Sequence, residues 1–332
     1  MTRNILVCGG AGYIGAPMMR LLKDHGHQVV VFDNLSQGHA PAIPGVELVQ
    51  GDLLHPADLA DLFARHPVDA VIHFAALTAV GESVAAPDRY CRNNVCGTLN
   101  LLDAMRHAGV DRLVFSSTAA VFGNPLTDLI DETHPLAPIN PYGWSKRMTE
   151  QMLADMATAY GLRSVSLRYF NAAGAHPSAE IGEAHQPETH LVPLVLLAAL
   201  GKREELAIFG SDYPTRDGTC IRDYVHVSDL ASAHLKALDV MEREAGAHVF
   251  NLGNGNGFTT LEVIEAARRV TGREIPFVMA DRRPGDAGIL VADSRRAREV
   301  LGWQPRYGEL ETIIDSAWRW HQAPAYGPFA SL

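Results

Sequence analysis

With 332 residues, 47% of them hydrophobic and 20% charged, the chain has ordinary globular composition and room for about two domains, which excludes a disordered, collagen-like or coiled-coil protein. Its 28 Lys and Arg against 38 Asp and Glu give a formal net charge of −10, so neither nucleic acid nor an anionic membrane is an expected partner. The cysteines Cys8, Cys91, Cys96 and Cys220 lack zinc-finger or disulfide-framework spacing, and no apolar stretch reaches the ~20 residues of a membrane span; no metal site and a cytoplasmic location are expected.

From the N-terminus, short β-branched runs alternate with segments of helical period. Strands are predicted at Ile5–Cys8, Gln28–Phe32, Glu47–Gln50, Ala70–Phe74, Arg112–Ser116 and Arg163–Tyr169, and helices at Ala16–His25, Asp58–His66, Asn93–Ala108 and Tyr142–Tyr160. That alternation predicts an α/β fold built on a doubly wound parallel Rossmann sheet. The Gly/Pro/His-rich stretch Ala173–Thr189 is too polar for a core and too long for an ordinary connection, so it marks a boundary. Beyond it come a helix at Leu191–Leu200, a strand at Leu206–Phe209 and a strand–helix–strand passage over Asp223–Asn251 that returns to the main sheet. The expected division is a sheet domain over 1–172 with a returning segment 223–258, and a second, smaller substrate-binding domain over 173–332.

The first strand runs into Gly9-Gly10-Ala11-Gly12-Tyr13-Ile14-Gly15, a GxxGxxG turn that opens a helix. Glycines at Gly9, Gly12 and Gly15 allow a sharp turn and let backbone N–H groups approach a pyrophosphate at the positive end of the helix dipole. The next strand ends at Asp33, 24 residues after Gly9. A carboxylate there accepts hydrogen bonds from ribose hydroxyls and repels a 2′-phosphate, which favours NAD over NADP. Asp52 follows the third strand, and Phe74-Ala75-Ala76 brings small residues to the end of the fourth, where ligands bind in open α/β sheets.

Pro141-Tyr142-Gly143-Trp144-Ser145-Lys146 opens a helix and puts Tyr142 and Lys146 on one face. A phenol acts as a base at neutral pH only if its phenolate is stabilised by roughly three pH units, about 4 kcal/mol. A neighbouring ammonium, the helix N-terminus and an oxidised nicotinamide are the groups able to supply that. Ser116, Ser117 and Thr118 place hydroxyls at the carboxyl end of the fifth strand, and Thr118 is the expected bridge between Tyr142 and a substrate oxygen.

On these residues the chain resembles the extended short-chain dehydrogenase/reductase family, and within it the branch of UDP-glucose 4-epimerases. The resemblance spans nearly the whole chain, through Gly9–Gly15, Asp33–Leu35, Phe74–Ser83, Asn93-Asn94, Ser116–Gly123, Pro141–Lys146, Leu167–His176, Pro187–Pro193 and Phe209–Val227. It implies a UDP-hexose held between two domains and inverted at C4 through a transient 4-keto sugar, with NAD kept and regenerated. Tyr142 would be the base, Lys146 would hold the nicotinamide ribose and lower the phenol, and Thr118 would hold the 4-oxygen. Contacts to NAD are implied for Tyr13, Ile14, Asp33, Asn34, Asp52, Phe74, Asn93 and Phe170, with the neighbouring Leu35, Leu53, Ala75 and Ala76. The sugar nucleotide would meet Arg222, Arg283 and Phe209, which suit a diphosphate and a base, and Asn171, His190, Leu191 and Asp286. A homodimer built on the helices Asp88–His107 and Pro141–Tyr160 is implied as well.

The chain departs from the family pattern at Thr78, Phe122 and His190, where some members carry Lys, Tyr and Asn. Leu290 stands where some carry Tyr and others a smaller residue, which leaves N-acetylhexosamine substrates undecided. A 4,6-dehydratase is the enzymatic rival, but its branch usually carries Asp-Glu after the hydroxyl residue, and Ala119-Ala120 transfer no protons. A dinucleotide-sensing protein without catalysis is the other alternative, and the intact Tyr142 and Lys146 argue against it.

Overall fold

The computed structural model describes residues 2–283, 286–328 and 330. Seven strands, β1 (Asn4–Cys8), β2 (Gln28–Asp33), β3 (Glu47–Gln50), β4 (Ala70–His73), β5 (Arg112–Thr118), β6 (Arg163–Tyr169) and β7 (Ala247–Leu252), form an all-parallel sheet in the order β7-β6-β5-β4-β1-β2-β3. Side chains alternate between its faces. Ile5 and Val7 join one buried cluster with Met18, Leu22, Val31 and Met241, while Leu6 and Cys8 join another with Phe32, Leu59, Leu101 and Phe115. Because both faces are covered, the central strands read as nearly continuous apolar runs.

Strand order reverses between β1 and β4: the chain leaves β1 toward β2 and β3 and resumes at β4 on the other side. The two crossovers diverge there and leave a crevice at the carboxyl ends of the strands. The main features of the sequence expectation on this side are met: β3 and β6 have the predicted bounds, and the others shift by a residue or two.

The helices Leu191–Ala199, Thr260–Thr271 and Leu310–Gln322 pack on one another around Leu196, Ile264, Ile313, Ile314 and Trp318 and form a second, smaller core. The helix Thr260–Thr271 has its ends fixed by sequence: Thr259 and Glu262 make a capping box, and Gly272 takes the left-handed conformation at its end. Two short sheets lie with this group. Leu206–Phe209 pairs in parallel with Phe277–Ala280, and Ile221–Arg222 lies between Phe258–Thr259 and Ile289–Ala292. No helix among the described residues is long and apolar enough to cross a membrane.

Three observations correct the expectations. Only the second strand of the 223–251 passage enters the main sheet, as β7 beside β6; the first, Tyr224–His226, pairs instead with Asn171–Ala173. The helix expected from Asn93 begins earlier, with an α-helical turn over Pro87–Tyr90 that runs through a π-helical segment over Cys91–Cys96 into Gly97–His107. And the polar stretch after Ala173 is not excluded from the interior, since residues 181–184 are buried. Its backbone is satisfied by side chains from elsewhere: Trp320 Nε1 donates to Glu183 O at 2.8 Å, and Gly182 N donates to Tyr326 Oη at 3.1 Å.

Candidate active site

The chain turns at the end of β1 through Gly9, whose φ of 79° and close approach to β4 both require glycine: a Cβ there would lie 2.5 Å from Ala75 N. Gly15 packs as tightly, with its would-be Cβ 2.4 Å from Gly9 O. Gly12 is different. A Cβ there would meet only Gly9 O at 3.4 Å, so its Cα faces open space in front of the helix Gly15–Asp24. Tyr13 and Ile14 complete the turn, and Tyr13 Oη donates to Gly174 O at 2.6 Å. This cradle of backbone N–H groups at a helix N-terminus suits a dinucleotide pyrophosphate.

Asp33 is 8% exposed and accepts from Ala11 N at 3.0 Å and Leu35 N at 2.8 Å. Burial raises its carboxyl, with the two backbone N–H groups working against that. Each oxygen keeps a second lone pair for a ligand hydroxyl. Next to it Asn34 Nδ2 donates to Asp52 Oδ2 at 3.0 Å, tying the ends of β2 and β3 together. The Leu53 side chain is drawn into the core with Phe32 and Leu59, which leaves only its backbone for a cofactor, and Leu35 takes a φ of 59°. Phe74 stacks near His234 at 4.7 Å between centroids.

Asn93 donates to its neighbour Asn94 at 2.9 Å. It is Asn94, singled out for no role by sequence, that knits the site: it accepts from Leu77 N and donates to Leu77 O, both at 2.9 Å, and reaches Ser145 Oγ at 3.0 Å. A buried asparagine inside a helix was the available signal, since such a side chain needs several partners.

The helix Pro141–Tyr160 starts at Asn140, whose side chain accepts from Gly143 N at 2.8 Å, with Pro141 in its first turn. Tyr142 and Lys146 are 9% and 2% exposed. Burial raises the Tyr142 phenol, and the influence acting to lower it is a hydrogen bond with Thr118, not Lys146. Lys146 Nζ donates to Ser116 O at 2.8 Å and lies 4.8 Å from the Phe115 ring centre. Burial pushes its ammonium down to about 7, with the Glu150 charge working against that.

Of the three hydroxyls ending β5, Thr118 is the one that acts on the Tyr142 phenol; Ser116 bonds Tyr169 Oη, and Ser117 Oγ donates to Glu150 Oε1 at 2.6 Å. Glu150 in turn holds Arg168, with Nε to Oε1 at 2.8 Å and Nη2 to Oε2 at 2.6 Å, both side chains 4% exposed. Sequence reading assigned neither residue.

On the substrate side, Arg283 lies over the Phe209 ring with its Cζ 3.7 Å from the centre. Arg222 stands in register with Leu290 on the neighbouring strand. Leu290 packs with Phe122 and Phe170 beside the end of β5. Asn171 Nδ2 donates to Asp223 O at 2.9 Å, and Asp286 N donates to Arg283 O at 3.2 Å. Tyr213, unassigned by sequence, has a buried hydroxyl with no partner among the described residues and feels the charges of Asp286 and Arg222. Leu191 opens the helix Leu191–Ala199 and packs against the second core.

His190 Nδ1 lies 2.5 Å from Glu183 Oε1, and its side chain is half exposed.

A model of the NAD-dependent epimerase/dehydratase family matches residues 5–253. The UDP-glucose 4-epimerase of Halalkalibacterium halodurans is 51% identical over 97% of this chain and 97% of its own. Among solved structures, the UDP-glucose 4-epimerase from Brucella ovis in complex with NAD is 48% identical with a TM-score of 0.93, covering 96% of this chain and 98% of that one. The UDP-glucose 4-epimerase from Bifidobacterium longum, in complex with NAD+ and UDP, is 38% identical with a TM-score of 0.92 over 96% and 98%. A turn in which Gly9 and Gly15 are sterically required, a buried carboxylate at the end of β2 and a buried Tyr-x-x-x-Lys pair thus sit in a chain matched over 97% of its length, and the chain belongs to the NAD-dependent epimerase/dehydratase family.

Proposed function

We propose that this chain interconverts UDP-galactose and UDP-glucose by inversion at C4, as an isomerase of galactose metabolism. The observation that carries the reading is the buried Tyr142–Lys146 pair one helical turn apart, with Lys146 Nζ held by Ser116 O at 2.8 Å, at the carboxyl edge of the sheet that ends in the Gly9–Gly15 turn. When bound, NAD+ would supply a hydride acceptor and donor for C4, and inversion with no net redox change would require the 4-keto sugar to turn over in the site between the two transfers. The chain's own residues do the rest. Tyr142 takes the 4-hydroxyl proton and gives it back, Thr118 fixes the 4-oxygen, and Lys146 holds the ribose of the cofactor. Gly9, Gly12, Tyr13, Ile14, Gly15, Asp33, Asn34, Leu35, Asp52, Phe74, Ala75, Ala76, Asn93 and Phe170 form the NAD side, with Leu53 contributing backbone. Arg222 and Arg283 meet the diphosphate, Phe209 stacks on the base, and Asn171, His190, Leu191, Asp286 and Leu290 line the sugar.

The relatives' names support this reading, and two core clusters support two domains, with Ile181, Ala184, Trp303, Trp320 and Tyr326 of the 173–332 stretch packing in the cluster of the sheet. A homodimer is supported by Leu99, Trp144 and Met148, apolar residues 40–48% exposed on the helices the family resemblance implicates. Four unpaired thiols, two of them exposed, support a reducing, cytoplasmic setting.

Incubation with UDP-galactose and no added reductant yields UDP-glucose without net NADH. A 4-keto-6-deoxy product would replace the reading with a dehydratase, and absence of turnover with a dinucleotide sensor.

A further inference from the structure

Residues 183–190 fold back so that four side chains converge. Glu183 Oε1 lies 2.9 Å from His185 Nδ1 and 2.5 Å from His190 Nδ1, and the Glu188 carboxylate lies 4.0 Å from the first ring and 3.6 Å from the second. One ligand atom from each of Glu183, His185, Glu188 and His190 falls within 4.8 Å of all the others. The carboxylates are enclosed rather than solvated, with side chains 3% and 5% exposed. Two such charges in one pocket repel: burial and the Glu183 charge together raise the Glu188 carboxyl. Beside the cluster, His321 is 3% exposed, feels the Glu183 charge, and has a buried Nε2 without a partner among the described residues.

We propose that Glu183, His185, Glu188 and His190 form a structural site for a divalent transition-metal ion, with zinc as the best fit. A divalent cation is the ligand that cancels both enclosed carboxylates while leaving both imidazoles neutral. Two nitrogens and two carboxylate oxygens suit tetrahedral Zn²⁺ and not Mg²⁺ or Ca²⁺, which take six or more oxygens. Bonds of about 2.0–2.2 Å to a tetrahedral ion separate ligand atoms by about 3.3–3.5 Å, a spacing bracketed by the separations present, so rotations of the two glutamates admit the ion.

The site pins a segment that serves both halves of the crevice. Upstream, the His185 ring meets Tyr13 of the glycine turn edge-on at 6.0 Å, and His39 Nε2 lies 3.1 Å from Ala184 O. Downstream, His190 is the residue from which the helix Leu191–Ala199 starts. The ion would clamp the connection between the dinucleotide turn and the first helix of the smaller core. The spacing Glu-x-His-x-x-Glu-x-His escapes a search built on cysteine patterns.

The test uses the untagged full-length protein, stripped with a chelator and dialysed against buffered zinc. Elemental analysis should find one zinc per chain in the wild type and in a Cys91→Ser/Cys96→Ser background, and none in His185→Ala/Glu188→Ala. Cobalt substitution of the wild type should give the intense visible bands of a tetrahedral ion, a readout that needs no variant to fold. Zinc should also raise the Tm of the wild type and leave the Tm of the double variant unchanged. A wild type that retains no zinc, a double variant that binds as much as the wild type, or an octahedral cobalt spectrum would overturn the proposal in favour of a metal-free hydrogen-bonded cluster.

Discussion

Glu150→Gln isolates the support beneath the Tyr142–Lys146 pair. The change is nearly isosteric but removes the negative charge that faces Arg168 through two hydrogen bonds of 2.8 and 2.6 Å, both side chains 4% exposed. Breaking a buried pair strands the remaining charge, at a cost of about 3–5 kcal/mol. Replacing both residues together, as Glu150→Met/Arg168→Met, should recover most of that loss, because no charge is left behind. Equilibrium urea unfolding measures both. The same substitution reaches the site electrostatically. Lys146 is held at about 7 by burial, with Glu150 working to raise it. Without Glu150 the ammonium loses its proton at lower pH, and if activity needs the ammonium, the alkaline limb of kcat/KM moves to lower pH while activity at acid pH is retained. A Glu150→Gln protein within about 1 kcal/mol of wild type, or one whose alkaline limb stays in place, would refute the reasoning.

Tyr142→Phe should lower turnover by about 10²–10⁴-fold, the usual worth of a general base, with NAD affinity unchanged; near-normal turnover removes Tyr142 as the base. Asp33→Ala should weaken NAD binding about 10–100-fold, since hydrogen bonds to a charged group are worth about 1.5–3 kcal/mol, and calorimetry showing the same affinity would take Asp33 off the ribose. Gly9→Ala should abolish NAD binding, because its Cβ would meet Ala75 N at 2.5 Å. Gly26→Ala, at a φ of 75° with open space around it, should cost only backbone strain of about 1–2 kcal/mol; equal effects from the two would show that steric closure at Gly9 is not what matters.

The sheet, its helices and the glycine turn were legible in the sequence because each is written in a local code: period two for strands, period 3.6 for helices, and glycine where a turn closes against a neighbouring strand. Tyr142 and Lys146 were legible for the same reason, one helical turn apart. What the sequence by itself could not express were partnerships between distant residues: Asn94 gripping Leu77 and Ser145, Glu150 gripping Ser117 and Arg168, and Thr118 rather than its neighbours acting on the Tyr142 phenol. These depend on register between β5 and β6 and on how the helix Pro141–Tyr160 seats against them. The direction of the Tyr142 and Lys146 shifts, and the convergence of Glu183, His185, Glu188 and His190, belong to the tertiary structure too, since burial and proximity are set only when the chain has closed on itself.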